Sequence, residues 1–337
     1  MRLNIRHNLL LPFTFAFVCS VGSFGDYAWI PDYHHLQTKV GIDYLHSSDN
    51  FGSDGVKTAL TSANQPTSLN DFKFWLEGEY GFVKDWSGYL RLPFTTAMID
   101  NSTETLFSGS GFSDLNLGLK WNVLRGKSLI TLELFSRVPL YSTTVPQTGE
   151  LVLGDGSFDF GGLMNVGYRF NRRFAVGFSP GLMIRSSGYE SAFVGSAFGG
   201  ATFHPMYIRL VIDSLFSLRK PSSNITSASN SETGSGGSFA RLSKNPDSMA
   251  IGARIGAFLS KQYRLEASTM WSTYGKSSPV YFKTGLNLVA DFDLYEPEPP
   301  KTKVKEIPFE KEQQPLDRSK DSPEFGAPTE SVNDNTN

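Results

Sequence analysis

Cysteine is almost absent from this chain: the single thiol, Cys19, lies close to the N-terminus. If that segment is removed, the mature protein has neither disulfides nor thiolate metal sites, and nothing else in the sequence suggests a metal or cofactor. Also missing after residue 25 is any apolar run approaching the ~20 residues of a membrane helix. Helical spanning is thereby excluded, whereas spanning by strands is not. Charge of one sign is lacking too. The formal net charge is −2, and loss of Arg2 and Arg6 would make it −4. Residues 296 to 337 hold ten acidic and six basic residues, so the body from 26 to 295 is about neutral. No basic field calls for a nucleic-acid partner.

The N-terminal segment has a recognisable order. Arg2 and Arg6 precede the apolar run Leu9 to Val21, and small residues at Ser23 and Gly25 flank Phe24. These are the three parts of a secretory signal peptide spanning 1 to 25, too short in its apolar part for an anchor. Val18 stands before Cys19, where a lipoprotein signal needs a small residue.

What is abundant is alternation. Aromatics make up 13% of the chain. From Phe158 to Phe170 the residues Phe158, Phe160, Met164, Val166 and Tyr168 share one face, and Asp159, Gly161, Asn165, Gly167 and Arg169 share the other. After Asn171-Arg172-Arg173 the pattern resumes, with Phe174, Val176, Phe178, Leu182 and Ile184 opposite Ala175, Gly177, Ser179 and Gly181. Period two across a short polar turn predicts an antiparallel hairpin. One apolar face suits lipid, and one face of small and charged residues suits a lumen.

Copies of this unit fill 36 to 295. The expected strands are 36–45, 71–82, 88–98, 114–124, 129–141, the hairpin just described, 192–203, 207–219, 249–260, 263–274 and 280–295. Polar loops are expected at 47–70, from 99 to Phe112, and at 220–248. Connections run long, short, long, short, which sets all short turns on one rim and all long loops on the other. That asymmetry predicts a transmembrane antiparallel up-and-down β-barrel of twelve strands in a bacterial outer membrane, with both ends on the periplasmic side. Aromatics near the short turns, among them Phe82, Trp86, Trp121, Tyr168, Phe203, Tyr207 and Tyr263, are expected to form an interfacial girdle.

In the last strand, Lys283, Gly285, Leu288, Ala290 and Phe292 resemble the closing-strand signal read by barrel-assembly machinery. The tail from 296 to 337, rich in Pro, Glu, Lys and Ser, is expected to be disordered in the periplasm, where it is available to a partner.

Ser110-Gly-Phe-Ser-Asp114-Leu-Asn-Leu-Gly118-Leu-Lys120-Trp121 is similar to the G-x-x-D-x-x-x-G-x-K-aromatic strand of the phenol-degradation meta-pathway (MetA) family of barrels. Leu92-Pro93-Phe94 and Val138-Pro139-Leu140 match that family's pattern as well. The resemblance covers about residues 87 to 141; loop 220–248 and the acidic tail depart from it. It implies an outer-membrane pore admitting small, including aromatic, compounds.

The inward positions carry Lys73, Glu77, Lys120, Glu133, Arg137, Arg169, Arg209, Asp213 and Arg254, among other charges of both signs. Such residues either pair with one another across strands or line a selective constriction; a slight basic excess points to anions. The constriction is expected around Lys73, Glu77, Lys120, Glu133 and Arg137. Catalysis is not expected. Some barrels of this kind are lipases with Ser and His on the lipid face, but of His34, His35, His46 and His204 only His46 has serines beside it, Ser47 and Ser48, and no Asn or acid partner is evident in the sequence. The expectation is a passive channel for small solutes, with a non-conducting structural or surface-binding barrel as the alternative. Its surroundings are outer-membrane lipids and the assembly machinery.

Overall fold

The computed structural model describes residues 29–62, 65–101, 103–142, 151–154, 156–218 and 245–294. The leader, most of loop 220–248 and the tail 296–337 lie outside the described residues. Among the described residues every regular element is a strand: β1 (His35–Phe51), β2 (Lys57–Ala59), β3 (Thr61–Ser62), β4 (Gln65–Pro66), β5 (Ser68–Val83), β6 (Trp86–Asp100), β7 (Thr105–Phe112), β8 (Asp114–Leu124), β9 (Ser128–Pro139), β10 (Asp159–Arg169), β11 (Phe174–Arg185), β12 (Ala192–Phe203), β13 (Met206–Ser217), β14 (Asp247–Phe258), β15 (Tyr263–Lys276) and β16 (Ser278–Asp293).

All wall pairings are antiparallel, and β16 returns to pair with β1 from His35↔Asp293 to Phe51↔Ser278. β2 is a short ribbon on the end of β1, while β7 and β8 pair in succession with the same strand, β6. The wall is therefore a closed barrel of twelve strands. Closure leaves no strand edge, which is the condition for a β-structure in hydrocarbon.

Two predicted loops are corrected. The stretch 99 to 112 is largely strand, because β6 runs on to Asp100 and β7 pairs with it residue by residue. The stretch 47 to 70 holds the end of β1, the ribbons β2 to β4 and the start of β5. Ser, Asn and Gly concealed these strands because they interrupt both rows, as Ser108, Gly109, Ser110 and Gly111 do in β7, so the period-two signal weakens there.

The alternation determines the faces. Ile42, Phe74, Leu76, Leu134, Phe160 and Leu210 point outward and are 43%, 52%, 49%, 53%, 47% and 63% exposed, whereas inward Lys120, Thr131 and Asn165 are 0% exposed. A soluble barrel inverts this order; an apolar outer belt of this extent is a lipid-facing surface. Trp86 and Trp121 stack at 5.5 Å, with Phe82, Tyr168, Phe203 and Tyr263 exposed at the same rim. Tyr207 does not join this girdle: it points into the lumen, 4% exposed, because inward parity on β13 falls on the odd-numbered residues.

The short turns carry their own chemistry. Asp85, between β5 and β6, adopts φ 66°, a conformation that Asp tolerates better than most residues. Asn171 accepts from the backbone N–H groups of Arg173 and Phe174 at 2.7 and 2.9 Å, closing the β10–β11 turn.

Candidate functional site: the barrel lumen

The lumen is lined by charged and polar inward residues of neighbouring strands, from the short-turn end up to Asp159 at the long-loop end of β10. Lys39 Nζ meets Glu77 at 2.7 Å, directly across the β1–β5 register. Asp43 lies between Arg91 at 3.7 Å and Lys283 at 3.4 Å. Lys120 reaches over β6 to Glu79 at 2.7 Å, and Ser87 on that intervening strand donates to the same carboxylate. Glu133 accepts from Tyr89 at 2.8 Å and from Asn165 at 2.9 Å. Asp159 draws in Arg137 and Arg185, both at 3.2 Å, and Ser157 at 2.6 Å. Glu266 holds Arg264 at 2.8 Å, Asn287 at 3.2 Å and the Tyr207 hydroxyl. Fully buried charges survive only when matched in this way.

Of the predicted constriction residues, Glu77, Lys120 and Glu133 share the belt of β5, β8 and β9, and Lys120 sits opposite Glu133 in register. Lys73 lies two inward positions above Glu77 on β5, opposite Asp43 and Thr95. Arg137 belongs to the separate Asp159 cluster on β9, β10 and β11. Arg169 is exposed at the short-turn rim, its guanidinium 4.9 Å from the Trp29 ring centre. Arg209 lies between the rings of Phe198 and Tyr207, at 5.4 and 4.9 Å, directly opposite Arg254 on β14. Asp213 faces Ser196 on β12. In β16, Lys283 and Gly285 point inward, and Leu288 and Phe292 carry the outward parity.

A cavity of about 950 Å³ opens at the short-turn end. Lys39, Arg91, Lys127, Arg169, Arg172, Arg173, Arg209, Arg254 and Arg264 line it, against only Glu79 and Glu266. Trp29, Trp75 and Phe198 supply its aromatic surface. Trp29 escaped the sequence reading because a single aromatic before the first strand carries no periodicity.

Between this cavity and the Asp159 cluster the inner wall is apolar on one side. Phe135, Leu163, Met183, Ala192 and Val194 form a buried apolar strip along the inner wall of β9 to β12. A second cluster joins inward Leu69, Ala97 and Ile99 to two residues from connecting segments, Leu60 and Leu151. Leu151 donates its N–H to the Ser108 carbonyl at 2.9 Å, and Leu151 to Leu153 are all buried.

The chain is similar to a solved outer-membrane channel. That structure is the COG4313 outer membrane channel from Pseudomonas putida F1: TM-score 0.61, 12% identity, covering 80% of this chain and 98% of that one. The CymD monoaromatic hydrocarbon channel aligns more loosely, at TM-score 0.42 and 9% identity, over 77% of this chain and 89% of that one. The NanC porin gives 0.43 and 5%, over 76% and 98%. No protein-family model and no curated protein matches the sequence. At these identities the likeness is one of fold.

The structure also corrects the reading of His46. Asn70 and Asp100, distant in sequence, stand beside it on the outer wall, and only the strand register reveals that neighbourhood.

Proposed function

We propose that the protein is a passive outer-membrane channel for small solutes and favours organic anions with an apolar or aromatic part. The observation that carries this reading is the division of the lumen along its axis. An apolar strip above leads to a cavity below in which nine cationic side chains face two carboxylates. A ring of fixed charge selects ions by sign, and an apolar wall favours solutes that shed water readily. The fold shared with a channel and the MetA-like motif around Asp114, Gly118 and Lys120 support the same reading.

Ion conductance of the refolded barrel in a planar bilayer tests it. The expected result is a small, anion-preferring conductance whose preference falls when Arg209 and Arg254 are both changed to Ser. An unchanged preference would remove the cavity from the pathway. A silent barrel would favour the structural alternative, in which the paired lumen charges and the Leu60–Leu151 cluster close the pore.

A further inference from the structure

The residues just before β1 run back across the short-turn mouth of the lumen. Their base is pinned where β16, β1 and β5 meet. His34 donates its N–H to the Gly81 carbonyl at 2.8 Å and accepts from the Leu294 N–H at 2.9 Å, while the His35 N–H reaches the Asp32 carbonyl at 3.0 Å. A Cβ on Gly81 would collide with that Asp32 carbonyl, so the glycine is what lets the chain pass over the end of β5. Farther along, Asp32 Oδ1 meets the Arg125 guanidinium in the β8–β9 turn at 2.8 Å, and Asp85 of the β5–β6 turn holds the same guanidinium at 2.6 Å. Pro31, with its fixed φ, stiffens the middle. At the far end the Trp29 ring centre lies 6.2 Å from that of Phe198 on β12 and 4.9 Å from the guanidinium of Arg169, the last residue of β10.

Strand order gives these contacts a direction. Around the closed wall β11 lies six strands from β1 either way, and Trp29 touches the strand on each side of it. The segment therefore bridges the mouth from one wall to the opposite one, and its indole lines the cavity. Its two ends are held unequally. Backbone hydrogen bonds fix the base, whereas Trp29 is held by a cation–π contact and a ring contact. The ion pair between them faces solvent, its side chains 38% and 73% exposed. Exposed ion pairs are weak and yield to salt.

We propose that residues 29–32 form a strap that swings aside on its base, and that Trp29 sets the size of solute admitted at the short-turn mouth. This rests on the channel reading, in which the strap is the gate beside the cationic cavity. With the strap docked, solute passes only beside the indole. With it released, the whole width of the mouth opens onto Arg209 and Arg254.

The test reads the mouth separately from the pore. In the refolded full-length barrel, Arg209→Cys puts a reporter thiol on the cavity wall, and Cys19→Ser removes the chain's own. The thiol is labelled with two neutral reagents, N-ethylmaleimide and a maleimide bearing a short polyethylene glycol chain. A heat-dependent gel shift confirms a closed barrel in each variant. Trp29→Ala should speed the bulky reagent ~10-fold, the weight of one cation–π and one ring contact, and the small reagent much less. Trp29→Phe, which keeps a ring for Phe198 and Arg169, should restore most of the restriction. Salt should speed the bulky reagent in the parent, and Asp32→Asn should remove that dependence. Equal bulky-reagent rates in the parent and in folded Trp29→Ala overturn the strap, whatever the barrel conducts. A salt dependence unchanged by Asp32→Asn overturns the part given to that residue. Single-channel current decides the channel reading on its own: faster labelling in a barrel that passes no current upholds the strap and sinks the channel.

Discussion

Tyr89 donates its hydroxyl to Glu133 across a whole intervening strand. The ring can do so because Gly118, on β8 between them, has no Cβ to collide with it. Tyr207 crosses Gly256 on β14 to reach Glu266 on β15 in the same manner. A flat aromatic over glycine thus ties three consecutive strands at two places in the lumen.

This relationship predicts that Gly118→Ala displaces the Tyr89 ring and destabilises the barrel by about 1–3 kcal/mol. Tyr89→Phe, which removes one donor from buried Glu133, should cost a similar ~1–3 kcal/mol. The double variant should cost less than the sum, as read from denaturant midpoints of the folded barrel. Strict additivity would mean that the glycine serves some other purpose.

Lys120 is 0% exposed and its partner Glu79 2%. Lys120→Met alone should therefore destabilise by about 3–5 kcal/mol, because a carboxylate is left buried without its cation. Lys120→Met together with Glu79→Gln should recover most of that loss. If the single variant proves harmless, water reaches Glu79 and the pair lies on an open path. Lys120 does not line the cavity, whereas Arg209 and Arg254 do, and this directs pore mutagenesis to those two arginines.

Leu117→Arg, on the lipid side, should cost about 2–4 kcal/mol near the midplane, whereas Asn116→Arg, facing the lumen, should fold. The comparison is a measurement of stability in bilayers of matched thickness. Equal damage at both sites would contradict the faces described above.

Gly109 packs against the Leu151 backbone. Gly109→Val should dislodge that segment from the inner wall and raise single-channel current without altering the gel shift. An unchanged current would place the segment beside the pathway rather than in it.

The strands were legible because each outward row is apolar and each inward row small or charged, so period two persisted from β8 to β16. It failed where Ser and Gly break both rows, as in β7, and where parity was misjudged, at Tyr207. The lumen charges were legible as a set, but their partners were not. Pairing of Arg137 with Asp159 rather than with the Lys120 belt depends on register, and register is invisible until neighbouring strands are laid side by side. Leu60 and Leu151 lie in connections, and whether a connection folds inward is decided by what it meets there. Asn70 and Asp100 belong to two strands other than that of His46, so no spacing in the chain could announce them.

Asp43 on the first strand and Lys283 on the last meet inside the barrel at 3.4 Å, while their register partners are Gly285 and Leu45. The seam therefore carries its own proofreading mark. A slip of one residue would turn every lipid-facing side chain of β16 inward. A slip of two would keep the faces but carry Lys283 along the seam away from its present place beside Asp43. The first and last strands of the wall are thus matched by charge as well as by pattern, and a misregistered closure would leave buried Asp43 with Arg91 alone.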